Sequence, residues 1–200
     1  MNPVTDRAPE VLTGTAQAFD RNRQLVVEEI SSTFAQVDPS EVAALVTELR
    51  LADRIFVTGA GRSGLVLKMA AMRLMHLGLT VHVVGEITTP AIRAGDLLLV
   101  ASGSGTTASI VKAAETAVAQ GARVAAYTTS KGSPLASAAA AVVLIPAAQK
   151  TDHASTLSRQ YSGSLFEQAL FTTTEAVFQS LWNEDRTAAE DLWLRHANLE

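Results

Sequence analysis

The chain has 200 residues, a formal net charge of −4 and a sequence pI of about 5.6, which excludes a strongly basic nucleic-acid-binding surface. It contains no cysteine, so disulfides, thiolate metal sites and a cysteine nucleophile are excluded. The first residues lack the pattern of a secretory signal, and no apolar run reaches the roughly 20 residues of a membrane-spanning helix. We therefore expect one cytoplasmic domain with terminal arms and no membrane contact.

The N-terminal fifth of the chain is expected to be helical. Apolar residues recur at helical spacing over residues 11–36, which predicts one long helix in an arm that spans residues 1–37. Asp38 followed by Pro39 is typical of a helix start, with Asp38 as N-cap. This second helix is expected to end near Leu51.

The following residues alternate short apolar strands with helices. Strands are predicted over residues 54–58, 80–84, 96–101, 123–127 and 142–145. Helices are predicted over residues 63–77 and 106–120, each ending before a glycine, and from Ser133-Pro134 onward. A polar loop over residues 146–159 precedes two last helices, residues 164–182 and 187–195. Apolar strands that alternate with helices indicate an α/β fold with a parallel sheet covered on both faces.

The first of two small-residue loops follows the first predicted strand, at the sheet edge where ligands of such folds bind. The loop, Gly59-Ala60-Gly61-Arg62-Ser63-Gly64, matches G-x-G-x-x-G, and Glu86 lies roughly where a dinucleotide fold keeps its ribose-binding acid. Three interpretations remain open: a dinucleotide site, a site for another phosphate ligand, and a turn that only lets strand and helix pack closely.

The second loop is Ser102-Gly103-Ser104-Gly105-Thr106-Thr107, and it follows the third predicted strand. Its four hydroxyl groups stand at a helix start, whose partial positive charge favours a phosphate. No lysine follows the glycines, so the loop is not a Walker loop. Hydroxyls without a fixed cation suit a phosphomonoester that must be bound and released. The alternative is ordinary helix capping by Ser104 or Thr106.

Glu167 follows Ser164 by three positions, and this spacing has two interpretations. In a capping box, Glu167 only reaches back to the backbone amide of Ser164. In the functional interpretation, Glu167 is a carboxylate base beside the pocket, and the helix dipole favours its ionised form.

The four histidines occupy different predicted settings. His76 is expected at the end of a helix, His82 in a strand, His153 in the polar loop and His196 in a tail that is expected to fray. None of them forms a convincing metal-binding set with carboxylates.

The chain resembles sugar isomerase (SIS) domain proteins over about residues 40–200, and among them the 6-phospho-3-hexuloisomerase group of the ribulose monophosphate pathway. The segments that carry the resemblance are Gly59–Gly64, Arg73–Gly78, Val84–Glu86 with Thr89–Ile92, Gly95-Asp96, Ser102–Thr107, Gly163–Gln168 and Arg195–Glu200. The segments around His76 and Glu167 and the tail are the ones that narrow it to this group. One departure is Thr106, where the family often has glutamate.

The resemblance implies a five-stranded parallel sheet in an SIS domain over residues 38–183, followed by a helical tail over residues 184–200. It implies that Glu167 transfers the proton and that His76 belongs to an active site, often that of a neighbouring subunit. The implied substrate-binding residues are Ser63, Ser102, Gly103, Ser104, Gly105, Thr106 and Thr107, with Gly61, Arg62, Glu86 and His196 as further candidates.

The resemblance also implies the reaction and the partners. The expected reaction interconverts D-arabino-3-hexulose 6-phosphate and fructose 6-phosphate through an enediol, without metal, nucleotide or other cofactor. The expected assembly is a homo-oligomer, a dimer or tetramer, with 3-hexulose-6-phosphate synthase as functional partner. Three alternatives remain open: another SIS isomerase, a non-catalytic sugar-phosphate sensor and an NAD-dependent oxidoreductase.

Overall fold

The computed structural model describes residues 7–148 and 158–199, with side chains from Gly14 onward. Its helices are α1 (Arg7–Phe34), α2 (Pro39–Leu51), α3 (Gly61–His76), α4 (Ala108–Ala119), α5 (Pro134–Ala138), α6 (Ser164–Asp185) and α7 (Ala189–Trp193). Its strands are β1 (Ile55–Gly59), β2 (Val81–Val83), β3 (Leu97–Ala101), β4 (Arg123–Thr128) and β5 (Ala141–Leu144). The predicted order of strands and helices is confirmed, and no predicted end differs from the observed one by more than four residues.

The five strands form one parallel sheet in the order β2-β1-β3-β4-β5, which confirms the predicted fold class. The strand order reverses between β1 and β3, and in open parallel sheets ligands bind in the crevice beyond the carboxyl ends of such strands. Gly59 and Ala101 are register partners at these ends. The two small-residue loops therefore leave the sheet side by side.

Helices cover both faces of the sheet, as the apolar strands predict. Buried side chains of α2, α3 and α6, among them Leu45, Leu67 and Leu170, form the core on one face. On the other face, Ile110 of α4 and Leu135 of α5 pack against the sheet. The long helix α1 packs against α6 and so extends the first layer. No helix within the described part of the chain is long and apolar enough to span a membrane.

Several predicted helix ends are confirmed by their capping geometry. The Asp38 carboxylate accepts a hydrogen bond of 2.8 Å from the Ser40 amide, and the Ser133 hydroxyl accepts one from the Ala136 amide. Gly78 and Gly121 follow α3 and α4 with positive φ angles of 93° and 78°, which glycine adopts without strain.

The capping interpretation is wrong at two helices. Thr107, rather than Ser104 or Thr106, is the N-cap of α4, and its side chain makes no capping hydrogen bond. The N-cap of α6 is Gly163 with φ 87°, and the Ser164 amide donates to the Tyr161 carbonyl. Because the helix begins one residue earlier than a capping box requires, Ser164 is its first residue and Glu167 is not at the capping-box position.

A buried ion pair joins the starts of β1 and β3. The guanidinium of Arg54 donates to both carboxylate oxygens of Asp96 at 2.9 and 2.6 Å, and the Arg93 amide donates at 2.8 Å. Although burial opposes ionisation, these donors hold the pKa of Asp96 below its ordinary value. The pair therefore ties together the two strands whose far ends carry the loops.

Candidate functional site

Three segments meet beyond the carboxyl ends of β1 and β3. They are the loop and first turn of α3, the Ser102–Thr107 loop and the first turn of α6. A Cβ at Gly103 would lie 3.5 Å from the ring of Phe166, so α6 packs directly on the second loop. The Nε atom of Arg62 lies 2.7 Å from the Oε2 atom of Glu167, which joins α3 to α6. Residues far apart in the sequence thus form one site.

The glycines of the first loop have two different roles. A Cβ at Gly64 would lie 2.2 Å from the Gly59 carbonyl oxygen, and one at Gly59 would lie 2.9 Å from the Gly64 amide. These two glycines let β1 and α3 pack against each other, as in the purely structural interpretation. Gly61 differs, because it has a φ of 57° and open space around its Cβ position. Ser63 is buried in the first turn of α3.

The second loop has a defined shape that leaves donors free. The Thr128 and Thr129 hydroxyls donate to the Gly103 carbonyl at 3.1 and 2.8 Å, and the Leu135 amide donates to the Gly105 carbonyl at 3.1 Å. Gly105 has a φ of 65°, and a Cβ there would lie 2.1 Å from the Ser133 hydroxyl. Only glycine therefore fits this position.

The hydroxyl groups of the second loop are paired with each other. The Ser102 and Thr107 hydroxyls lie 3.0 Å apart, and the Thr106 amide and hydroxyl both donate to the Ser104 hydroxyl at 3.2 and 3.0 Å. Within residues 7–148 and 158–199, the amides of Gly103, Ser104 and Thr107 have no hydrogen-bond acceptor. Together with the start of α4, this arrangement suits an anion with several oxygen atoms.

Glu167 is a buried carboxylate held by an exposed cation. Its side chain is 4% exposed, whereas that of Arg62 is 62% exposed. The exposed arginine separates the buried carboxylate from solvent. If the arginine turned away, the carboxylate could contact a bound ligand. The ion pair holds the carboxylate in the first turn of α6, and the capping interpretation does not account for it.

Glu86 lies outside this group of residues. Its Oε1 atom accepts from the Lys68 ammonium at 2.8 Å, and both side chains are exposed. The hydrogen bond and charge of Lys68 hold the pKa of Glu86 below its ordinary value. The cavity between this pair and the first loop measures only ≈ 110 Å³, which is small for a dinucleotide.

His76 lies at the opposite end of α3 from Arg62. Fourteen positions separate the two residues, so at 1.5 Å per residue they stand about 21 Å apart along the helix. The imidazole of His76 is buried and stacks on that of His196, with ring centroids 3.9 Å apart. Burial, together with His196 and Arg73, lowers the pKa of His76. His76 and Glu167 of one chain therefore cannot act on the same small ligand.

The tail packs on the end of α3 instead of fraying as expected. Arg195 donates from Nη1 to the His76 carbonyl at 2.6 Å, and a Cβ at Gly78 would lie 3.3 Å from its guanidinium carbon. The ring of Trp193 lies 4.8 Å from that of His196. The glycine after α3 predicted only the end of that helix, and nothing in the tail itself identified its partner.

The other two histidines do not join the site. His82 contacts Phe56 in the sheet, with ring centroids 5.0 Å apart, and His153 lies outside the described residues. No group of three metal-binding side chains is found in the described part of the chain.

Known proteins resemble this chain along most of its length. A model of the SIS domain matches residues 48–172. The 3-hexulose-6-phosphate isomerase of Mycobacterium gastri is 67% identical over 179 residues, which are 90% of each chain. That of Bacillus subtilis is 37% identical over 176 residues, 88% of this chain and 95% of the relative.

A solved structure shares the architecture. The crystal structure of a Methanococcus jannaschii protein, for which the function of 3-hexulose-6-phosphate isomerase has been inferred, superposes with a TM-score of 0.75. The alignment has 27% identity and covers 90% of this chain and 99% of that protein.

Proposed function

Because the chain belongs to the SIS domain family, we propose that it is an isomerase that interconverts D-arabino-3-hexulose 6-phosphate and fructose 6-phosphate. The observation that carries the proposal is the buried Glu167 beside an anion-suited loop, in a chain 67% identical to a protein named for this reaction. The proposal also assigns the substrate class, a ketohexose that carries one phosphate.

The phosphate binds at the Ser102–Thr107 loop. The free amides of Gly103, Ser104 and Thr107 and the paired hydroxyls surround it, and the start of α4 adds partial positive charge. Ser63, buried in the first turn of α3, is a further candidate ligand of the phosphate. Because the phosphate does not react, its binding energy serves to hold C2 and C3 of the sugar against the base.

Glu167 is the base that carries the proton. It removes the proton from C2 of the 3-ketose, which gives an enediol across C2 and C3, and it returns the proton to C3 to give fructose 6-phosphate. Arg62 leaves Glu167 when substrate binds and turns its guanidinium toward the sugar oxygens. Removal of a positioned base costs about 10²–10⁴-fold in rate, so the substitution of Glu167 is nearly disabling.

The 3-ketose reaches the site as an open chain. Its O6 atom is blocked by phosphate, and closure through O5 would give a four-membered ring. The enzyme therefore needs no ring opening in the direction that makes fructose 6-phosphate. The substrate must be supplied by condensation of formaldehyde with ribulose 5-phosphate, which is the reaction of a 3-hexulose-6-phosphate synthase.

A second copy of the chain completes the site with the His76–His196 pair. This pair moves protons between the two sugar oxygens, and it is too far from Glu167 within one chain. Exposed apolar side chains form a stripe along α3, namely Leu65, Met69, Met72 and Met75. If two copies pair along this stripe about a twofold axis, the His76 end of one α3 lies near the Arg62 end of the other.

A coupled assay tests the proposed function. The synthase makes the 3-ketose in place, and fructose 6-phosphate is measured through phosphoglucose isomerase and glucose-6-phosphate dehydrogenase. We expect turnover by the wild-type chain at a rate that depends on its concentration. Absence of turnover, with activity on an arabinose or heptose phosphate instead, would assign the chain to another isomerisation.

A further inference from the structure

The N-terminal helix reaches the segment that leads into the first turn of α6. Glu29 of α1 accepts three hydrogen bonds there. The Ser158 hydroxyl donates to its Oε2 atom at 2.7 Å, the Arg159 amide to its Oε1 atom at 2.8 Å, and the Gln160 side-chain amide to its Oε2 atom at 3.1 Å. One carboxylate thus fixes three consecutive residues that lie about 130 positions away in the chain.

The hydrogen bonds continue from this segment into α6. The Gln160 side-chain oxygen accepts from the side-chain amide of Gln168 at 2.9 Å, and the Ser158 hydroxyl accepts from the Gln160 backbone amide at 3.0 Å. Gln168 directly follows Glu167. A chain of side-chain contacts therefore runs from α1 to the residue beside the base.

An ionised carboxylate accepts all three hydrogen bonds of Glu29 at once. The Arg159 amide and the Gln160 NH₂ group can only donate, and they contact different oxygens, so a glutamine at position 29 would turn its own NH₂ group toward one of them. Although burial opposes ionisation, the donors hold the pKa of Glu29 below its ordinary value. Glu28, the preceding residue, is exposed on the same helix. The two neighbouring glutamates offer a matched comparison.

We propose that Glu29 is a positioning residue for the isomerisation, because its contacts with residues 158–160 and the Gln160–Gln168 pair hold the first turn of α6 in place. This role rests on the function proposed above. It also makes the N-terminal helix part of the catalytic apparatus, since the base depends on a carboxylate outside the sheet domain.

The test compares Glu29→Gln with the control Glu28→Gln. A misplacement of the base by about 1 Å lowers catalysis by up to about 10²-fold, so we expect kcat of Glu29→Gln to fall about 10- to 100-fold. Inhibition by inorganic phosphate should stay within about twofold of wild type, because the phosphate loop follows β3. Glu28→Gln should match the wild type in kcat and in inhibition by inorganic phosphate. Hydrogen exchange should show faster exchange of the Arg159 amide in Glu29→Gln only.

A second variant tests the same proposal if Glu29→Gln folds poorly. Gln160→Ala cuts the link to Gln168 and leaves the other two contacts of Glu29 in place, and we expect a similar loss of kcat. In the double variant the two losses of kcat should not add, because both substitutions break the same chain of contacts from Glu29 to Gln168. A wild-type kcat in Glu29→Gln, or the same loss in Glu28→Gln, would overturn the positioning role. Wild-type turnover in the same assay reports separately on the proposed function.

Discussion

Replacement of Gly105 by alanine tests the packing of the phosphate loop. At this position the backbone has a φ of 65°, and a Cβ would lie 2.1 Å from the Ser133 hydroxyl and 2.4 Å from the Ser133 Cβ. The left-handed backbone costs about 1–2 kcal/mol for alanine. The overpacking adds about 1–3 kcal/mol, because the hydroxyl can rotate but the Cβ belongs to the N-cap of α5. We expect Gly105→Ala to lower the free energy of unfolding by about 2–5 kcal/mol in total.

Gly61→Ala provides the matched control. Gly61 also has a positive φ, 57°, but nothing lies within 4 Å of its Cβ position. Gly61→Ala should therefore lower the free energy of unfolding only by the cost of the left-handed backbone, about 1–2 kcal/mol. The free energies of unfolding are measured in urea at one protein concentration, because association with further copies would shift them.

A second substitution isolates the clash itself. Ser133→Gly removes both clashing atoms, and a glycine N-cap is only a few tenths of a kcal/mol worse than serine. Gly105→Ala should therefore cost at least about 1 kcal/mol less in the Ser133→Gly background than in the wild type. Equal losses for Gly105→Ala and Gly61→Ala, or strict additivity with Ser133→Gly, would refute the steric reasoning.

Three further predictions concern the phosphate, the core and pH. Ser104→Ala should lower kcat/KM and weaken inhibition by inorganic phosphate about tenfold, the effect of one hydrogen bond to a charged group; unchanged inhibition would place the anion elsewhere. Asp96→Ala should lower the free energy of unfolding by about 3 kcal/mol in urea, because Arg54 loses its buried partner; a loss below 1 kcal/mol would contradict this. Burial lowers the pKa of His76 in the folded chain, so the unfolded chain binds the proton more readily, and stability should fall as the pH drops below about 6.5. His76→Gln should flatten that fall, and an identical pH profile of unfolding would argue against it.

Local signals in the sequence predicted the fold well. Asp38-Pro39, Ser133-Pro134 and the glycine after α3 act through the backbone of their own turns, so their effect does not depend on the rest of the chain. The apolar strands predicted a covered parallel sheet for a different reason, because strands that are buried on both faces are continuously apolar. The capping-box interpretation of α6 failed because Gly163, in a left-handed conformation, holds the N-cap position that the spacing assigned to Ser164.

The contacts that organise the site could not be predicted in the same way. The Arg62–Glu167 pair and the Glu29 contacts join residues that are more than 100 positions apart, and neither has a spacing rule. The stacking of His196 on His76 likewise depends on how the tail returns to α3. Residue types and motifs singled out the candidate side chains, while the tertiary fold decides which of them meet.

The proposed role of Glu167 is tested most directly by measuring exchange of the transferred proton with solvent. Fructose 6-phosphate is incubated in D₂O with wild-type chain or Glu167→Gln, and deuterium is located by NMR. We expect deuterium at C3 with the wild type, because Glu167 takes that proton in the reverse direction and exchanges it with solvent. In Glu167→Gln, exchange should be at least about 100-fold slower. Deuterium at C1 would indicate aldose–ketose chemistry instead, and undiminished exchange at C3 in Glu167→Gln would contradict the role of this carboxylate.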